Sequence, residues 1–445
     1  MNVVLVSTYD LGHQPFGLAS PAAWLRRTGA HVTAVDLSRQ QLPAEAVTSA
    51  DLVAFYLPMH TATRLAMPVI ARVRAINPAA TICAFGLYAQ LNETLLRERG
   101  VTIVLGPEAE EDLARIATAA TDEATAKAVA LQRSESGASI PRLQFIQPDR
   151  AGLPALDRYA SLQMPDGTQR IVGATDATRG CKHRCRHCPI VPVYDGQFRV
   201  VPVEVVLADV RAQVEQGAAH ISFGDPDFFN GPTHARRIVE SLHREFPQLT
   251  YDAIIKVEHL IAHRELLPLL VATGCLFVTS AVESVDDEVL AKLEKGHTRA
   301  GFIAAARLCR DAGLTLVPTF VAFTPWTTIE SYIDLLKVVS ELDLVANVSP
   351  VQWGIRLLVT WESRLLELPD IQSVIGPFDA RTLTYPWAHP DPRVDALQHQ
   401  VMALAGVKAA RSREEIFEIV CELAHVNVVL PARAAIPYMN EPWYC

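Results

Sequence analysis

The stretch Thr178-Arg179-Gly180-Cys181-Lys182-His183-Arg184-Cys185-Arg186-His187-Cys188-Pro189 places three cysteines on one short loop. The loop follows directly on a strand candidate, Ile171 to Ala174, and its cysteine spacing is CxxxCxxC. Three thiolates on one compact loop can hold three irons of a [4Fe-4S] cluster, and without a nearby fourth cysteine one iron stays open to an external ligand. We therefore expect Cys181, Cys185 and Cys188 to ligate a catalytic cluster.

The neighbours of these cysteines bear on which metal they hold. Gly180 permits a tight turn, and basic side chains in the loop can offset the negative charge of a thiolate-ligated cluster. These side chains are Arg179, Lys182, Arg184 and Arg186. The alternative is zinc held by the three cysteines plus His183 or His187, because tetrahedral nitrogen and sulfur sites suit zinc. Zinc ligands usually come from two separated knuckles, so a single loop favours the cluster.

The cysteine loop belongs to a region of alternating strand and helix patterns that begins at Arg170. Its strand candidates are Ile171 to Ala174, His220 to Phe223, Thr250 to Ile255, Leu276 to Ala281, Leu314 to Ala322 and Ala346 to Pro350. Six such units predict a partial (β/α)6 TIM-like barrel over residues 170–365, with its chemistry on the loops at the carboxyl ends of the strands. Residues 366–445 are rich in proline and then helical from about Val394 to Ala424, which predicts a small helical cap with a tail.

The first 118 residues show a second alternating pattern of short apolar runs and helices. The strand candidates are Val3 to Ser7, His31 to Leu37, Asp51 to Leu57, Thr81 to Phe85 and Val101 to Leu105. They predict an α/β domain with a doubly wound parallel sheet that binds ligands at the carboxyl ends of its strands. No GxGxxG motif follows the first strand, so a nicotinamide or flavin dinucleotide has little support. Residues 119–169 are predicted to be a linker.

Composition excludes several classes of protein. The chain has 445 residues, half of them hydrophobic, and a net charge of -9, which excludes a disordered chain and a histone-like nucleic-acid binder. The longest apolar stretch is interrupted by Pro268 and Gly274, which argues against a membrane span. Eight cysteines are too few for a disulfide framework, so we expect a cytoplasmic protein with reduced thiols. The cysteines outside the loop and the tail are expected in the core; they are Cys83, Cys275, Cys309 and Cys421.

With the cysteine loop at the end of the first barrel strand, the region from Arg170 to about Leu365 resembles the radical S-adenosylmethionine (SAM) superfamily. The resemblance implies that SAM binds the open iron. Gly224 and Asp225, after the second strand, look like the superfamily's GGEP-type element, which meets the methionyl amino group of SAM. Phe223 stands where that element has its first glycine, and the acid is Asp rather than Glu.

Further positions match the same superfamily. Ser280 and Glu283, near the end of the fourth strand, match polar positions that meet the SAM ribose or carboxylate. His187 occupies a usually aromatic position from which it can stack near the adenine. The run Lys295-Gly296-His297-Thr298 resembles an element common in members with a cobalamin-binding-like domain.

The layout of a doubly wound domain followed by this barrel is similar to the cobalamin-binding radical SAM class. The run from Gln14 to Ala19 resembles that class's PxGLA motif at the start of its first helix. The class's cobalt-ligand motif is DxHxxG, whereas Asp10 and His13 are spaced DxxH. Two readings therefore stay open: a domain that binds cobalamin, and one that only shapes the substrate channel.

Nearly the whole chain is similar to the CUAEP/CCAEP-tail radical SAM family. The shared runs are Ser7 to Pro15, Pro58 to Thr61, Gly224 to Phe228 and the tail Glu441 to Cys445. In that family the tail continues from cysteine into a second cysteine or selenocysteine. The resemblance leads us to expect Cys445 to act as a catalytic thiol presented to the substrate, with a metalloid as one candidate; an incidental thiol on a docked terminus is the alternative.

The resemblance implies reductive cleavage of SAM, with an electron from a flavodoxin- or ferredoxin-type donor, and radical chemistry on a small-molecule substrate. Cobalamin-assisted methyl transfer, cobalamin as a relay, and hydrogen abstraction without cobalamin all stay open. So does transfer of the 3-amino-3-carboxypropyl group of SAM to a soft acceptor such as trivalent arsenic. A non-catalytic cobalamin or metal sensor is the alternative of another class. Nucleic-acid partners are not expected, because the basic residues concentrate at the cysteine loop. Membrane partners are not expected either, because the longest apolar stretch is interrupted.

Overall fold

The computed structural model describes residues 1–119, 140, 142–406, 412–428, 430 and 436–440. Its first sheet is parallel, five-stranded and ordered β2-β1-β3-β4-β5. The strands are β1 (Asn2–Ser7), β2 (His31–Asp36), β3 (Leu52–Tyr56), β4 (Thr81–Phe85) and β5 (Ile103–Val104). The helices around it are α1 (Phe16–Arg27), α2 (Ala44–Thr48), α3 (His60–Ile76), α4 (Leu87–Leu91), α5 (Glu93–Glu98) and α6 (Glu110–Thr118).

Helices cover both faces of this sheet because its strands are apolar on both faces. Val3 and Leu5 of β1 pack in one core together with Leu18 of α1. Val4 of the same strand packs in the opposite core with Ile70 of α3. Successive side chains of a strand point to opposite faces, so a continuous apolar run buries both. The predicted doubly wound sheet is confirmed.

The second sheet has seven strands in the order β13-β12-β11-β10-β7-β6-β14 and curls into a half-barrel. The first five strands in that order are parallel, while β6 and β14 are antiparallel additions at one edge. The strands are β6 (Ser161–Gln163), β7 (Gln169–Thr175), β10 (His220–Phe223), β11 (Thr250–Ile254), β12 (Cys275–Glu283), β13 (Thr315–Phe320) and β14 (Tyr438–Met439). A separate hairpin pairs β8 (Thr178–Gly180) with β9 (Phe198–Val200).

Helices follow the strands of the half-barrel, and most pack on its outer side, whereas the short helix that contains Val193 packs against Leu91 of the N-terminal domain. They are α7 (Val191–Tyr194), α8 (Val203–Glu215), α9 (Pro232–Glu245), α10 (Val257–Ala262), α11 (Leu267–Ala272), α12 (Asp287–Lys292), α13 (Arg299–Asp311), α14 (Ile329–Glu341) and α15 (Pro369–Gln372). Val278 and Val282 of β12 face this layer in one core with Phe302 of α13. The predicted cap contains α16 (Pro392–Gly406) and α17 (Arg413–Leu423). Phe417 of α17 packs on Trp353, with ring centroids 4.9 Å apart.

The predicted sixth barrel strand, Ala346 to Pro350, is wrong. Short 3-10 helices occupy Val345–Asn347 and Pro350–Trp353 instead. The Asn347 side chain donates to the Leu316 carbonyl oxygen, 2.5 Å away, and proline has no N–H to give to a sheet ladder. A single parallel bridge between Phe323 and Arg356 lies beside the end of β13. The predicted linker, residues 119–169, contains β6 and so contributes a strand to the second sheet.

Candidate active site

The three-cysteine loop lies between β8 and α7, just beyond the carboxyl end of β7. The hairpin of β8 and β9 fixes the start of the loop. Gly180 has a φ of 76°, and a Cβ at this position would lie 2.7 Å from the carbonyl oxygen of Gln197. The turn into Cys181 therefore needs the glycine that the sequence predicted there.

The loop holds three free thiols. Cys181 and Cys185 are buried, and Cys188, whose N–H donates to the Cys185 carbonyl oxygen at 3.1 Å, is partly exposed. Burial raises the pKa of Cys181 to about 11 and that of Cys188 to about 12. Both thiols therefore keep their protons until a metal displaces them. Three soft sulfur donors on one loop fit an iron–sulfur cluster. The other described cysteines are buried away from the loop, as expected; they are Cys83, Cys275, Cys309 and Cys421.

Two buried lysines lie beside the cysteine loop, where their positive charge can balance the negative charge of three thiolates. Lys256, which follows β11, places its Nζ 3.6 Å from the Cys185 Sγ. Burial opposes the charged form of Lys295, but the charges of Glu283 and Cys185 outweigh it and raise the pKa of this lysine. The sequence analysis assigned the balancing of the thiolate charge to basic residues of the loop itself. It missed Lys256, which only its position directly after a barrel strand could have indicated.

The arginines of the loop form ion pairs with carboxylates away from the thiols. The expectation that these arginines balance the charge of the cluster is therefore corrected. Arg184 pairs with Asp195 at 3.0 Å. Arg186 forms an ion pair with Glu294. Arg179 points to the N-terminal domain, as described below. None of the three guanidinium groups is therefore free to face the thiols.

The loop histidines proposed for the zinc alternative have carboxylate partners. His183 Nδ1 lies 2.7 Å from Glu258 Oε1, and its Nε2 lies 3.2 Å from Asp227 Oδ2. His187 Nε2 lies 3.1 Å from Glu283 Oε1. Ligand atoms of Cys181, His183 and Asp227 lie within 4.8 Å of one another. Neither this group nor the second possible ligand group at His183 includes Cys185 or Cys188, so the described residues do not gather the three thiols and a loop histidine around one zinc ion.

The segment Asp227 to Asn230 clamps the loop from the side of β10. Asn230 Oδ1 accepts from the Lys182 N–H at 3.2 Å, and its Nδ2 donates to the Gly180 carbonyl oxygen at 3.1 Å. Asp227 caps the following 3-10 helix and pairs with His259 Nδ1 at 2.6 Å. Burial works against the charge of Asp227, but its close contacts with His183 and His259 lower the pKa to about 2. Sequence reasoning missed both residues, although the run Asp-Pro-Asp-Phe-Phe-Asn carried a capping signal.

Glu283, at the end of β12, joins the barrel to the loop. It has a φ of 68° at a bulge opposite β13, which turns its carboxylate toward Lys295 Nζ at 3.3 Å and the His187 ring. Burial would raise its pKa, but the charge of Lys295 and the hydrogen bond of His187 lower it to about 2. Glu283 and His187, predicted separately, are thus brought together beside the cysteines. Their contacts with SAM stay predictions.

Two other predicted SAM contacts lie differently. Asp225 is fully buried, and its carboxylate accepts from the Ala177 N–H at 2.9 Å and the Thr178 hydroxyl at 2.5 Å. Ser280 lies on the same side of β12 as the outward-facing Val278 and Val282, and its buried hydroxyl has no partner among the described residues. These placements do not support the predicted contacts of either side chain with SAM. Gly224, by contrast, lines the cavity described next.

A cavity of about 280 Å³ lies where the carboxyl ends of the two sheets face each other. We call it the interdomain cavity. One wall carries Asp10, His13 and other residues from the loops after β1, β3, β4 and β5. The opposite wall carries Asp176 and Gly224, from the ends of β7 and β10, and the start of the cysteine loop. The space adjoins the loop, as a substrate site on a barrel of this kind would.

Arg179 connects the two domains across this cavity. Its guanidinium lies 3.1 Å from Glu108 and 2.7 Å from Glu110, both from the N-terminal domain. It also lies over the Phe16 ring at 5.1 Å. The Tyr194 hydroxyl donates to Glu108 at 2.7 Å. The position of the cysteine loop is thereby tied to the doubly wound domain.

The loop after β1 places both members of the DxxH pair on the interdomain cavity. Burial lowers the pKa of His13, so its imidazole is neutral, the form that binds metals. Burial, with the charges of Asp176 and Asp36, raises the pKa of Asp10 to about 8. The apolar rings of Phe16 and Phe85 line the same wall. This mixture of apolar surface and a neutral imidazole fits a corrinoid in chemical type.

Comparison with known proteins places residues 176–339 in the Radical SAM superfamily. That range contains the cysteine loop, β10 to β13 and the elements that hold Glu283 and Lys295. These residues thus form a radical SAM domain, and that superfamily uses a [4Fe-4S] cluster and SAM.

Two curated relatives match part of the chain. A hopanoid C-3 methylase from Methylococcus capsulatus is 26% identical over 160 residues, covering 36% of this chain and 30% of that protein. A tRNA-2-methylthio-N(6)-dimethylallyladenosine synthase from Fusobacterium nucleatum is 27% identical over 185 residues, covering 37% of this chain and 40% of that protein. The chain therefore spans less than half the length of the curated relatives it matches.

Two solved structures share the fold over nearly the whole chain. The cobalamin-dependent SAM radical enzyme OxsB, with aqua-cobalamin and SAM bound, is 14% identical, with a TM-score of 0.65 over 95% of this chain and 71% of that one. The radical SAM methyltransferase TsrM from Kitasatospora setae, with tryptophan and a SAM analogue bound, is 16% identical. Its TM-score is 0.66, and the match covers 96% of this chain and 95% of that one. These matches confirm the predicted two-part fold.

Two further expectations from the sequence concern Cys445 and membrane crossing. Cys445 lies outside the described residues, so its predicted role stays a prediction. Among the described residues, no helix combines the length and the apolar character that crossing a membrane requires.

Proposed function

We propose that this chain holds a [4Fe-4S] cluster on Cys181, Cys185 and Cys188 and uses it with SAM to start radical chemistry on a small-molecule substrate in the interdomain cavity. The observation that carries the proposal is the group of three free thiols on one loop beside that cavity. When bound, the cluster and SAM supply the one-electron chemistry that no side chain can supply. The electron would come from a flavodoxin- or ferredoxin-type donor.

The residues around the loop position it and balance its charge. Lys256 and Lys295 would offset the negative charge of the thiolates, and Asn230 would hold the backbone of the loop in place. Glu283 and His187 form the wall on which we place SAM. Because the charge of Lys295 and the hydrogen bond of His187 lower the pKa of Glu283, its carboxylate stays charged and can accept from a hydroxyl or an ammonium group.

We further propose that the interdomain cavity takes cobalamin, for methyl transfer or as a relay. The supports are the shared fold with OxsB and TsrM, whose descriptions name cobalamin dependence or methyl transfer, and the neutral His13 imidazole on the cavity wall. The carboxyl edges of the two sheets would enclose the reacting groups and exclude water. Cys445 is kept in this proposal as a thiol offered to the substrate, with a soft acceptor as the alternative target.

The test is anaerobic reconstitution of the full chain, with iron and sulfide analysis and electron paramagnetic resonance with and without SAM. The reduced cluster should contain about four irons per chain, and its signal should change when SAM is added. Cys181→Ala should lose the signal and SAM cleavage together. Cys309→Ala is the matched control, because this cysteine is also buried but lies on α13 in the outer core.

Three outcomes would contradict the proposal. If the chain bound stoichiometric zinc and no iron, the loop would be a zinc site. A cluster whose signal ignores SAM would indicate a sensor. Equal loss of iron in both cysteine variants would mean that the loop is not the ligand set.

A further inference from the structure

A second cavity, of about 490 Å³, lies at the carboxyl edge of the doubly wound sheet, outside the interdomain cavity. Its walls come from the loops after β1 and β2, including Thr8 and Ser38, and from the first turns of α3. In the strand order, β1 lies between β2 and β3. In open sheets of this order, ligands bind at the switch point between β1 and β3, outside the carboxyl ends of the strands.

Three arginines line this second cavity, which we call the arginine cavity: Arg39, Arg64 and Arg381. Among the described residues, no carboxylate lies within 4.0 Å of the guanidinium of Arg39 or Arg64, and Arg381 reaches Asp379 only at 4.0 Å. The Nε of Arg39 is buried without a hydrogen-bond partner. Asp36 and Asp379 offset only part of the charge of Arg39 and Arg381, so an anion in this cavity would be stabilised by the three guanidinium groups.

The N-terminus of α3 adds to the same positive field. The helix is 17 residues long, begins at His60, and has neither a side-chain cap nor an acidic residue in its first turn. Its first N–H groups carry the positive end of the helix dipole, which favours anions. Arg64, also near this end, would be unfavourable there without an anion to bind. Arginine side chains and a helix N-terminus together are the groups that recognise phosphate.

We propose that the arginine cavity binds the phosphate group of a phosphate ester. The cavity is larger than an inorganic phosphate needs, so it has room for the organic part of the ester. The loop after β1 is the wall between this ligand and the interdomain cavity: Gly12 lines the arginine cavity and Leu11 lines the interdomain cavity. Both residues have positive φ angles, 78° and 47°, so this wall has a conformation that few sequences adopt.

Equilibrium dialysis of the full chain against inorganic phosphate and against AMP tests the proposal. Both should bind saturably, with AMP tighter. Arg64→Gln should weaken both by about tenfold or more, because a charged hydrogen-bond donor is lost. Arg72→Gln is the matched control: it removes the same charge from the same helix, at a position outside the cavity, and should leave the dissociation constants unchanged. Thermal unfolding of both variants should match that of the unsubstituted chain.

Competition identifies the source of the phosphate. If cobalamin displaces AMP while cobinamide, which lacks the phosphodiester, does not, the corrinoid's own tail fills the cavity. If neither displaces it, the ligand is a separate phosphorylated molecule. Absence of saturable binding, or equal weakening in both arginine variants, would overturn the proposal as non-specific charge attraction. The measurement uses no SAM turnover, so failure of the proposed function would leave its result unaffected.

Discussion

Asp225 has a different partner in the fold from the one its motif predicts. The GGEP-like motif predicts a contact with the methionyl amino group of SAM, but both carboxylate oxygens accept hydrogen bonds from the turn between β7 and β8. Burial and the charge of Asp176 raise the pKa of Asp225 to about 7. A half-protonated, enclosed carboxyl group is a weak partner for an ammonium ion. We infer that Asp225 positions the turn that leads into the cysteine loop.

Substitution of Asp225 separates the two roles. Asp225→Asn keeps an acceptor for the Ala177 N–H and can donate to the Thr178 hydroxyl oxygen, so the SAM dissociation constant should stay within about threefold of its original value. Asp225→Ala leaves a buried N–H without a partner, and the free energy of unfolding should fall by about 1–3 kcal/mol. SAM titration and urea unfolding measure the two effects. A large loss of SAM affinity in Asp225→Asn would restore the direct contact.

Among single residues, the sequence was sufficient where the spacing along the chain carries the information. The CxxxCxxC spacing alone predicted Cys181, Cys185 and Cys188 as ligands. Lys256 and Asn230 were missed because they reach the loop from other strands, and such contacts exist only once the half-barrel has formed. The family resemblance pointed to Glu283 at the end of β12, which lies beside the cysteine loop. It could not show that Ser280, on the same strand, faces the outer helices instead.

At the scale of elements, the short segment after β10 fixes the cysteine loop. Asn230 bridges the Gly180 carbonyl oxygen and the Lys182 N–H, the backbone groups that flank Cys181. Both hydrogen bonds are within the ordinary range, and the side chain is buried. The loop therefore keeps its shape through a neighbouring element as well as through its own turn.

Asn230→Ala should loosen the loop and speed the loss of iron from the cluster. We expect iron release to a chelator to accelerate by about tenfold or more, because two hydrogen bonds to the ligand-bearing backbone disappear. Asn77→Ala is the control: Asn77 is also buried and holds the Val47 and Ala50 carbonyl oxygens, but in the other domain. It should lower the unfolding temperature without changing the rate of iron release. Equal rates in the two variants would contradict a specific clamp.

Elements with a strong alternating pattern were predicted well, and the error came at the edge of the sheet. The five parallel strands of each sheet follow from apolar runs separated by helices. The sixth barrel candidate failed because an asparagine side chain and a proline, Asn347 and Pro350, replace backbone pairing there. Short antiparallel strands such as β6 and β14 have too few residues for a periodic signal.

At the scale of the whole molecule, the carboxyl edges of two sheets enclose one cavity that holds several carboxyl groups. Asp10 comes from one domain and Asp176 from the other, and burial is the largest cause of a raised pKa at each. The pKa of Asp176 is about 6, and that of Asp10 is about 8. Arg150 lowers both but does not cancel the effect of burial. Domain contact therefore favours the protonated acids.

The stability of the domain contact should depend on pH through Asp10. Between the ordinary aspartate pKa of about 4 and about 8, the folded chain holds a proton that the unfolded chain has released, so raising the pH across this window lowers the free energy of unfolding. Asp10→Asn removes this dependence and should stabilise the chain by about 1 kcal/mol or more at pH 8, with a smaller gain at pH 5. Asp157→Asn, at an exposed position, should show no such difference between the two pH values. Urea unfolding at both pH values measures the gain, and an Asp10→Asn gain that is absent, or equal at pH 5 and pH 8, would mean that Asp10 is charged in the cavity at neutral pH.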